Sequence, residues 1–162
     1  MIPLLKLIKK QDFIILIILI LLIPVVTRLN KRINFIYIIL TSNYITLILN
    51  IAFLVMMYKK VMIFNGINHT LITRMGYKNT KQSIYVFMVI ITFLFLTILY
   101  IFLFLVYGFS HMSIKLLLML VIYTLLYLFE VSLIYLQFNR KSNIFYVALP
   151  IIMNLVCHYM FF

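Results

Sequence analysis

Long apolar runs separated by short polar links dominate this sequence, and they restrict the folds that the chain can adopt. The runs cover about residues 13–29, 33–58, 84–107, 114–136 and 144–162. A helix of about 20 apolar residues crosses about 30 Å of hydrocarbon. The sequence therefore predicts an all-α fold, a polytopic transmembrane helical bundle of about five spans that forms one domain over residues 1–162. Gly108 is expected to end the third span, at a tight turn to the fourth.

The composition excludes an ordinary soluble domain. Charged residues make up 10% of the chain, whereas soluble domains carry about 25%. The formal net charge is +12, from 14 basic against 2 acidic residues. Because the bases flank apolar runs, they indicate membrane topology and contact with anionic lipid, and no nucleic-acid partner is predicted. The single cysteine, Cys157, excludes an internal disulfide.

The distribution of basic residues predicts the orientation. With the N-terminus inside, ten bases are cytoplasmic: Lys6, Lys9, Lys10, Lys59, Lys60, Arg74, Lys78, Lys81, Arg140 and Lys141. Four bases are then outside: Arg28, Lys31, Arg32 and Lys115. This excess favours an N-terminus in the cytoplasm. The alternative is four spans, with the first apolar run lying in the membrane interface.

One connection, residues 59–83, is much longer than the others and is polar. At 100° per residue its apolar side chains gather within an arc of about 120°, and they are Ile63, Phe64, Ile67, Leu71 and Met75. This spacing predicts an amphipathic helix over residues 63–75. Candidate docking residues of this loop are Asn65, Asn68, His69, Arg74, Lys78 and Lys81. The loop is interpreted as an interfacial helix on anionic lipid, as a docking site for a cytoplasmic partner, or as a flexible loop.

The stretch "YKKVMIFNGINHTLITRMGYKNTKQSIYVFMVI" and its flanking spans resemble ABC-2 type permeases. They are similar to the small permeases of bacteriocin and antimicrobial-peptide export or immunity systems. In that family a cytoplasmic helix and a basic cluster precede the third span, where Arg74, Lys78 and Lys81 stand here. The resemblance covers roughly residues 45–105. It implies a transmembrane subunit without its own ATPase, and no phosphate-binding G-x-x-x-x-G-K-[ST] motif is present.

Polar residues inside the predicted spans are candidates for internal sites. Glu130 shares a helical face with Tyr123, Tyr127 and Gln137, and this face is predicted to point into the protein. Glu130 is interpreted either as a proton- or substrate-linked acid that faces a cavity or as a protonated or hydroxyl-paired residue that holds helices together. A second stripe, Asn43, Thr46 and Asn50, is expected to form interhelical hydrogen bonds or to line a substrate path.

The remaining polar residues give little support for catalysis or for a metal. Asn154, Cys157 and His158 share a face of the last span, but no further ligands complete the three or four that a metal site needs. The two acids, Asp12 and Glu130, lie on different spans. No catalytic residue, cofactor or metal is therefore predicted.

Two functions remain open at this stage. The first is a membrane subunit of an ABC-type transporter, working with a separate nucleotide-binding ATPase and as a homodimer or with a second membrane chain. The alternative is a non-catalytic accessory subunit of a larger membrane complex, including an organelle-encoded one. An abundance of residues with AT-rich codons is compatible with a bacterial cell membrane or an organellar inner membrane.

Overall fold

The computed structural model describes residues 10–27, 35–108 and 114–161, and this part of the chain is helical without β-strands. The elements are α1 (Lys10–Val26), α2 (Phe35–Thr41), a π-helical segment (Ile45–Asn50), α3 (Ile51–Gly66), α4 (Asn68–Met75), α5 (Tyr77–Tyr107), α6 (Ile114–Tyr135) and α7 (Phe145–Phe161). The predicted all-α class is therefore confirmed.

Three helical stretches are long and apolar enough to cross a membrane. They are Ile45–Gly66 with 22 residues, Tyr77–Tyr107 with 31 and Leu117–Tyr135 with 19. Two shorter apolar helices cover Gln11–Val26 and Phe145–Met160. At a rise of about 1.5 Å per residue, 19 residues extend about 28 Å, close to the thickness of the hydrocarbon core.

Contacts at the two ends of the bundle show that successive long helices run in opposite directions. At one end the hydroxyl groups of Thr27 and Tyr107 are hydrogen bonded, so α1 and α5 end together. At the other end Asp12 at the start of α1 pairs with Lys60 in α3. We call the latter the basic end, because it carries six exposed bases: Lys59, Arg74, Lys78, Lys81, Arg140 and Lys141.

Where α3, α5 and α6 meet, the hydrophobic core contains a group of aromatic side chains. The rings of Phe53 and Phe95 stack with their centroids 4.2 Å apart. The Tyr127 ring lies 5.9 Å from Phe53 and 6.1 Å from Phe95. Such aromatic contacts stabilise a bundle beyond simple burial, and they hold α6 in register with its neighbours.

The second predicted span comprises α2, the π-helical segment and α3, and it is interrupted near its start. α2 ends at Thr41, Ser42 is not helical, and the π-helical segment follows. The Thr46 amide still donates to the Ser42 carbonyl at 3.1 Å, so the chain direction is kept. Single π-helical turns often occur at functional sites, and this one turns Thr46 and Asn50 into the interior.

The structure divides the predicted amphipathic helix of residues 63–75 into two parts. α3 continues to Gly66 because Phe64 is buried and packs edge-on against Phe87, with centroids 5.5 Å apart. The helix breaks at Ile67, and α4 then lies on the bundle with Ile67 and Leu71 partly buried against the core. Only Asn68–Met75 is a separate surface helix.

Two glycines end helices at sharp turns. Gly76 separates α4 from α5 with φ of 77°, a conformation that suits glycine because it has no Cβ. The predicted helix stop at Gly108 is confirmed, since α5 ends at Tyr107 and Gly108 has φ of 70°. The tight turn at Gly76 means that Lys78 and Lys81 belong to the first turns of α5.

Candidate functional site

The basic end is a positively charged surface that the chain cannot neutralise with its own side chains. Only two acidic residues exist in the sequence. Asp12 is paired with Lys60, and Glu130 has an exposed fraction of 0%. The six exposed bases of this end therefore have no carboxylate side chain available within the chain. A surface of this kind attracts anionic partners or anionic lipid headgroups.

Two asparagines of the predicted docking loop are engaged within the chain. The Asn65 amide nitrogen donates to the Gln137 carbonyl at 3.1 Å, and its oxygen accepts from the Asn139 amide at 2.7 Å. Asn68 donates to the Asn139 side-chain oxygen at 2.8 Å. We call these contacts the asparagine clamp. It fastens the junction of α3 and α4 to the turn between α6 and α7.

The turn between α6 and α7 has its own polar support. Gln137 has an exposed fraction of 0%, and its side chain donates to the Lys141 carbonyl at 2.6 Å and accepts from the Asn143 amide at 3.0 Å. Asn139 has φ of 62°, a conformation that asparagine tolerates better than most residues. These hydrogen bonds thus fix the conformation of the turn. Because Asn68 joins α4 to Asn139, a movement of α4 would also displace the turn.

The predicted docking residues that remain exposed are His69, Arg74, Lys78 and Lys81. Of these, Lys78 and Lys81 line a shallow groove of about 360 Å³ at the start of α5. Its other lining residues are Tyr77, Gln82, Tyr85 and Tyr135. The Tyr135 hydroxyl donates to the Lys81 carbonyl at 2.9 Å, which fixes the end of α6 against α5.

The Asp12–Lys60 ion pair is a feature that sequence reasoning missed. Lys60 was grouped with the flanking bases, yet its side chain is 2% exposed and its partner Asp12 is 25% exposed. Lysine is almost never fully buried unless it is paired. The available signal is that Asp12 is the only acid near that membrane boundary, at the start of the first span and on the same predicted side as Lys60.

The predicted inward face of α6 is confirmed. Tyr123, Tyr127, Glu130 and Gln137 are all buried, with exposed fractions of 9% or less. Neither carboxylate oxygen of Glu130 has a hydrogen-bond partner among the described residues. The interpretation of Glu130 as a hydrogen-bonded link between helices therefore has no support in the contacts that are described.

The polar stripe of Asn43, Thr46 and Asn50 forms the predicted interhelical hydrogen bonds. Asn50 donates to the Tyr123 hydroxyl at 2.9 Å. Thr46 lies 3.1 Å from Nδ1 of His158, and the Asn43 side-chain oxygen lies 2.9 Å from Nε2 of the same ring. His158 thus connects α7 to both residues, a role that sequence reasoning did not identify because its partners are more than 110 residues away.

A cavity of about 200 Å³ lies beside these hydrogen-bonded side chains, between the segment of residues 40–46, α6 and α7. Its polar lining comes from Thr46, Tyr123, Asn154 and His158. The Asn154 side chain is 3% exposed, and its amide nitrogen has no partner among the described residues. Apolar lining residues complete the wall: Leu40, Met119, Ile122 and Leu126. Cys157 also borders the cavity.

In the part of the chain that the structure describes, no group of three His, Cys, Asp or Glu side chains could hold a metal ion. Comparisons with known protein families, with curated proteins and with solved structures give no match. The function is therefore inferred from the geometry and the charge of the molecule alone.

Proposed function

We propose that this chain is the transmembrane subunit of an ATP-driven, ABC-type transporter, coupling a separate ATPase to export of, or immunity to, peptide-like cargo. The observation that carries this proposal is the basic end. His69 and Arg74 on α4, and Lys78 and Lys81 at the start of α5, are exposed there and have no acidic partners in the chain. An acidic surface on a separate ATPase complements this charge.

The asparagine clamp supports a coupling role for α4. A partner that moves α4 also moves the α6–α7 turn, because Asn65 and Asn68 bond directly to that turn. α6 carries Glu130 and α7 carries His158, which lie at the polar interior. The clamp thus offers a mechanical connection between the docking surface and the helices that carry the intramembrane polar groups Glu130, Asn43 and Asn50.

The proposed arrangement has five spans, with α1 and α7 as the two shorter ones and the N-terminus inside. The concentration of exposed bases at the basic end supports placing that end in the cytoplasm. Because the bundle interior is filled by buried aliphatic and aromatic side chains, a path for cargo requires a second copy or another membrane chain. A bacterial cell membrane is the proposed location, with an organellar inner membrane as the alternative.

Co-purification from a mild detergent tests the proposal. One variant changes Arg74, Lys78 and Lys81 to Gln, and a matched control changes Lys59, Arg140 and Lys141 to Gln. Both variants lose three positive charges from the same end, but only the first alters the segment around α4. We expect an ATPase to co-purify with the wild type and the control and to be lost from the first variant.

Other outcomes contradict the proposal. An ATPase that is retained by both variants does not dock on this segment. If no nucleotide-binding protein co-purifies, and the associated chains are other membrane proteins that both variants retain, the chain is an accessory subunit and α4 is a helix that rests on lipid.

A further inference from the structure

Among the described residues, no basic side chain is paired with Glu130. Glu130 has an exposed fraction of 0% within Leu117–Tyr135, the part of α6 that is apolar enough to span a membrane. Both of its carboxylate oxygens are without hydrogen-bond partners among the described residues. A charged carboxylate in such a place is costly, so intramembrane acids of this kind are typically functional.

The described side chains near Glu130 supply no cation for its carboxylate, so the ligand that fits this site is a proton. Lys60 is paired with Asp12, and both ring nitrogens of His158 lie at hydrogen-bond distance from Thr46 and Asn43. The titratable side chains that interact with Glu130 electrostatically are uncharged groups, and they are Tyr123 and Tyr127 on α6 and Cys157 on α7. Tyr100 on α5 interacts with Tyr127 in turn.

A series of polar groups connects Glu130 with the cavity. The Tyr127 hydroxyl, three residues before Glu130, is buried without a partner among the described residues. The Tyr123 ring lies 5.1 Å from the Tyr127 ring and borders the cavity of about 200 Å³. From the cavity, His158 leads to Asn43, which is exposed away from the basic end.

Toward the basic end, the next polar side chain on the Glu130 face is Gln137, seven residues away, and its amide group is bonded to the α6–α7 turn. The buried side chains between them are apolar. Val131, Ile134 and Phe138 follow Glu130 along the chain, and their exposed fractions are 1%, 0% and 6%. Glu130 itself does not line the cavity. A bulky ligand in this cavity thus does not touch the carboxylate, whereas a proton can reach it through hydroxyl groups and transient water.

From this geometry we propose that Glu130 is an exchangeable proton-binding site, loaded and emptied through the cavity from the end of the bundle that carries Asn43. A hydronium ion in the cavity gives a proton to the carboxylate, which forms the neutral carboxyl and leaves water, and the reverse step returns the proton to water. This inference goes beyond the proposed transporter function and does not depend on an ATPase partner.

Infrared spectroscopy of the purified full-length protein, in a detergent without ester groups, tests the proposal. At neutral pH a protonated side-chain carboxyl gives a carbonyl stretching band that moves to lower frequency when deuterium replaces the proton. We expect this band in the wild type and in Asp12→Asn, and we expect its loss in Glu130→Gln. The assignment is direct because the chain has only these two acidic side chains.

The rate of the deuterium shift tests the route. Leu126→Phe fills part of the cavity, whereas Leu125→Phe adds the same volume at a neighbouring exposed position. We expect several-fold slower exchange in Leu126→Phe and a wild-type rate in Leu125→Phe. These two variants keep Glu130, so they test the inference even if Glu130→Gln fails to fold.

Three results overturn the proposal. An absent band shows that Glu130 is ionised. A band that does not shift in deuterium oxide shows a proton that is structural rather than exchangeable. Equal exchange rates in the two leucine variants show that protons reach Glu130 by a route other than the cavity. None of these results bears on ATPase docking, so the two proposals fail separately.

Discussion

A single side chain, Lys60, shows how the chain tolerates a charge at its core. Its exposed fraction is 2%, and its ammonium group is hydrogen bonded to the Asp12 carboxylate. Removal of one partner from a buried ion pair leaves an uncompensated charge, which destabilises a protein more strongly than loss of the pair as a whole. The two partners differ in burial, because the Asp12 side chain is 25% exposed and the Lys60 side chain only 2%.

This asymmetry gives a prediction at the residue scale. Asp12→Asn leaves the Lys60 charge buried and is expected to cost on the order of 3 kcal/mol of unfolding free energy. Lys60→Met leaves the partly exposed Asp12 and costs less, and the double change recovers much of the loss. Reversible unfolding in mixed detergent measures these effects, with Lys59→Gln as the exposed neighbouring control. Equal costs for both single changes would contradict the buried-charge explanation.

At the scale of elements, α4 depends on its neighbours for its position. It has eight residues and none of them is buried, and isolated helices of this length are marginal in water. Its attachment comes from the partly buried Ile67 and Leu71 and from the asparagine clamp. The clamp also orders the turn that carries the exposed Arg140 and Lys141.

Limited proteolysis tests the clamp. Asn65→Ala removes the hydrogen bonds to the α6–α7 turn, and a net loss on the order of 1 kcal/mol raises the open population of the turn about fivefold. Trypsin cleavage after Arg140 and Lys141 is expected to accelerate by a similar factor, since cleavage follows that population. Asn79→Ala, an exposed change on α5, is the control. An unchanged cleavage rate in Asn65→Ala would show that the turn is ordered without the clamp.

At the scale of the whole molecule, the charge is unevenly distributed along the bundle. Six exposed bases lie at the basic end, and among the described residues Lys115 is exposed near the start of α6 at the other end. Positive residues near spans are retained in the cytoplasm during insertion. The distribution therefore predicts that the basic end faces the cytoplasm in intact cells.

Cysteine labelling tests this orientation. In a Cys157→Ser background without other cysteines, a membrane-impermeant maleimide is expected to label Lys115→Cys in intact cells. Lys78→Cys is expected to react only after the membrane is permeabilised. The Cys157→Ser protein serves as the unlabelled reference. The reverse pattern contradicts the orientation, and equal labelling in intact cells contradicts the antiparallel arrangement of α5 and α6.

The spacing of residues along single helices was enough to predict several local features. The inward face with Tyr123, Tyr127 and Glu130 follows from helical periodicity, because residues three, four and seven apart share a face. Gly108 follows from the need for a positive φ at a tight turn. The hydrogen bonding of Asn43, Thr46 and Asn50 follows from the cost of unpaired polar groups in a membrane.

By itself, the sequence determined an all-α chain with helices of membrane-spanning length, the inward face of α6 and the excess of positive charge, because these depend on local composition and periodicity. Only the tertiary structure decided that Lys60 is buried beside Asp12, that Asn65 and Asn68 bind the distant α6–α7 turn, and that His158 joins the second helix to α7. Each of these contacts joins residues that are tens of positions apart. Their geometry depends on how whole helices pack, and spacing within one helix carries no information about it.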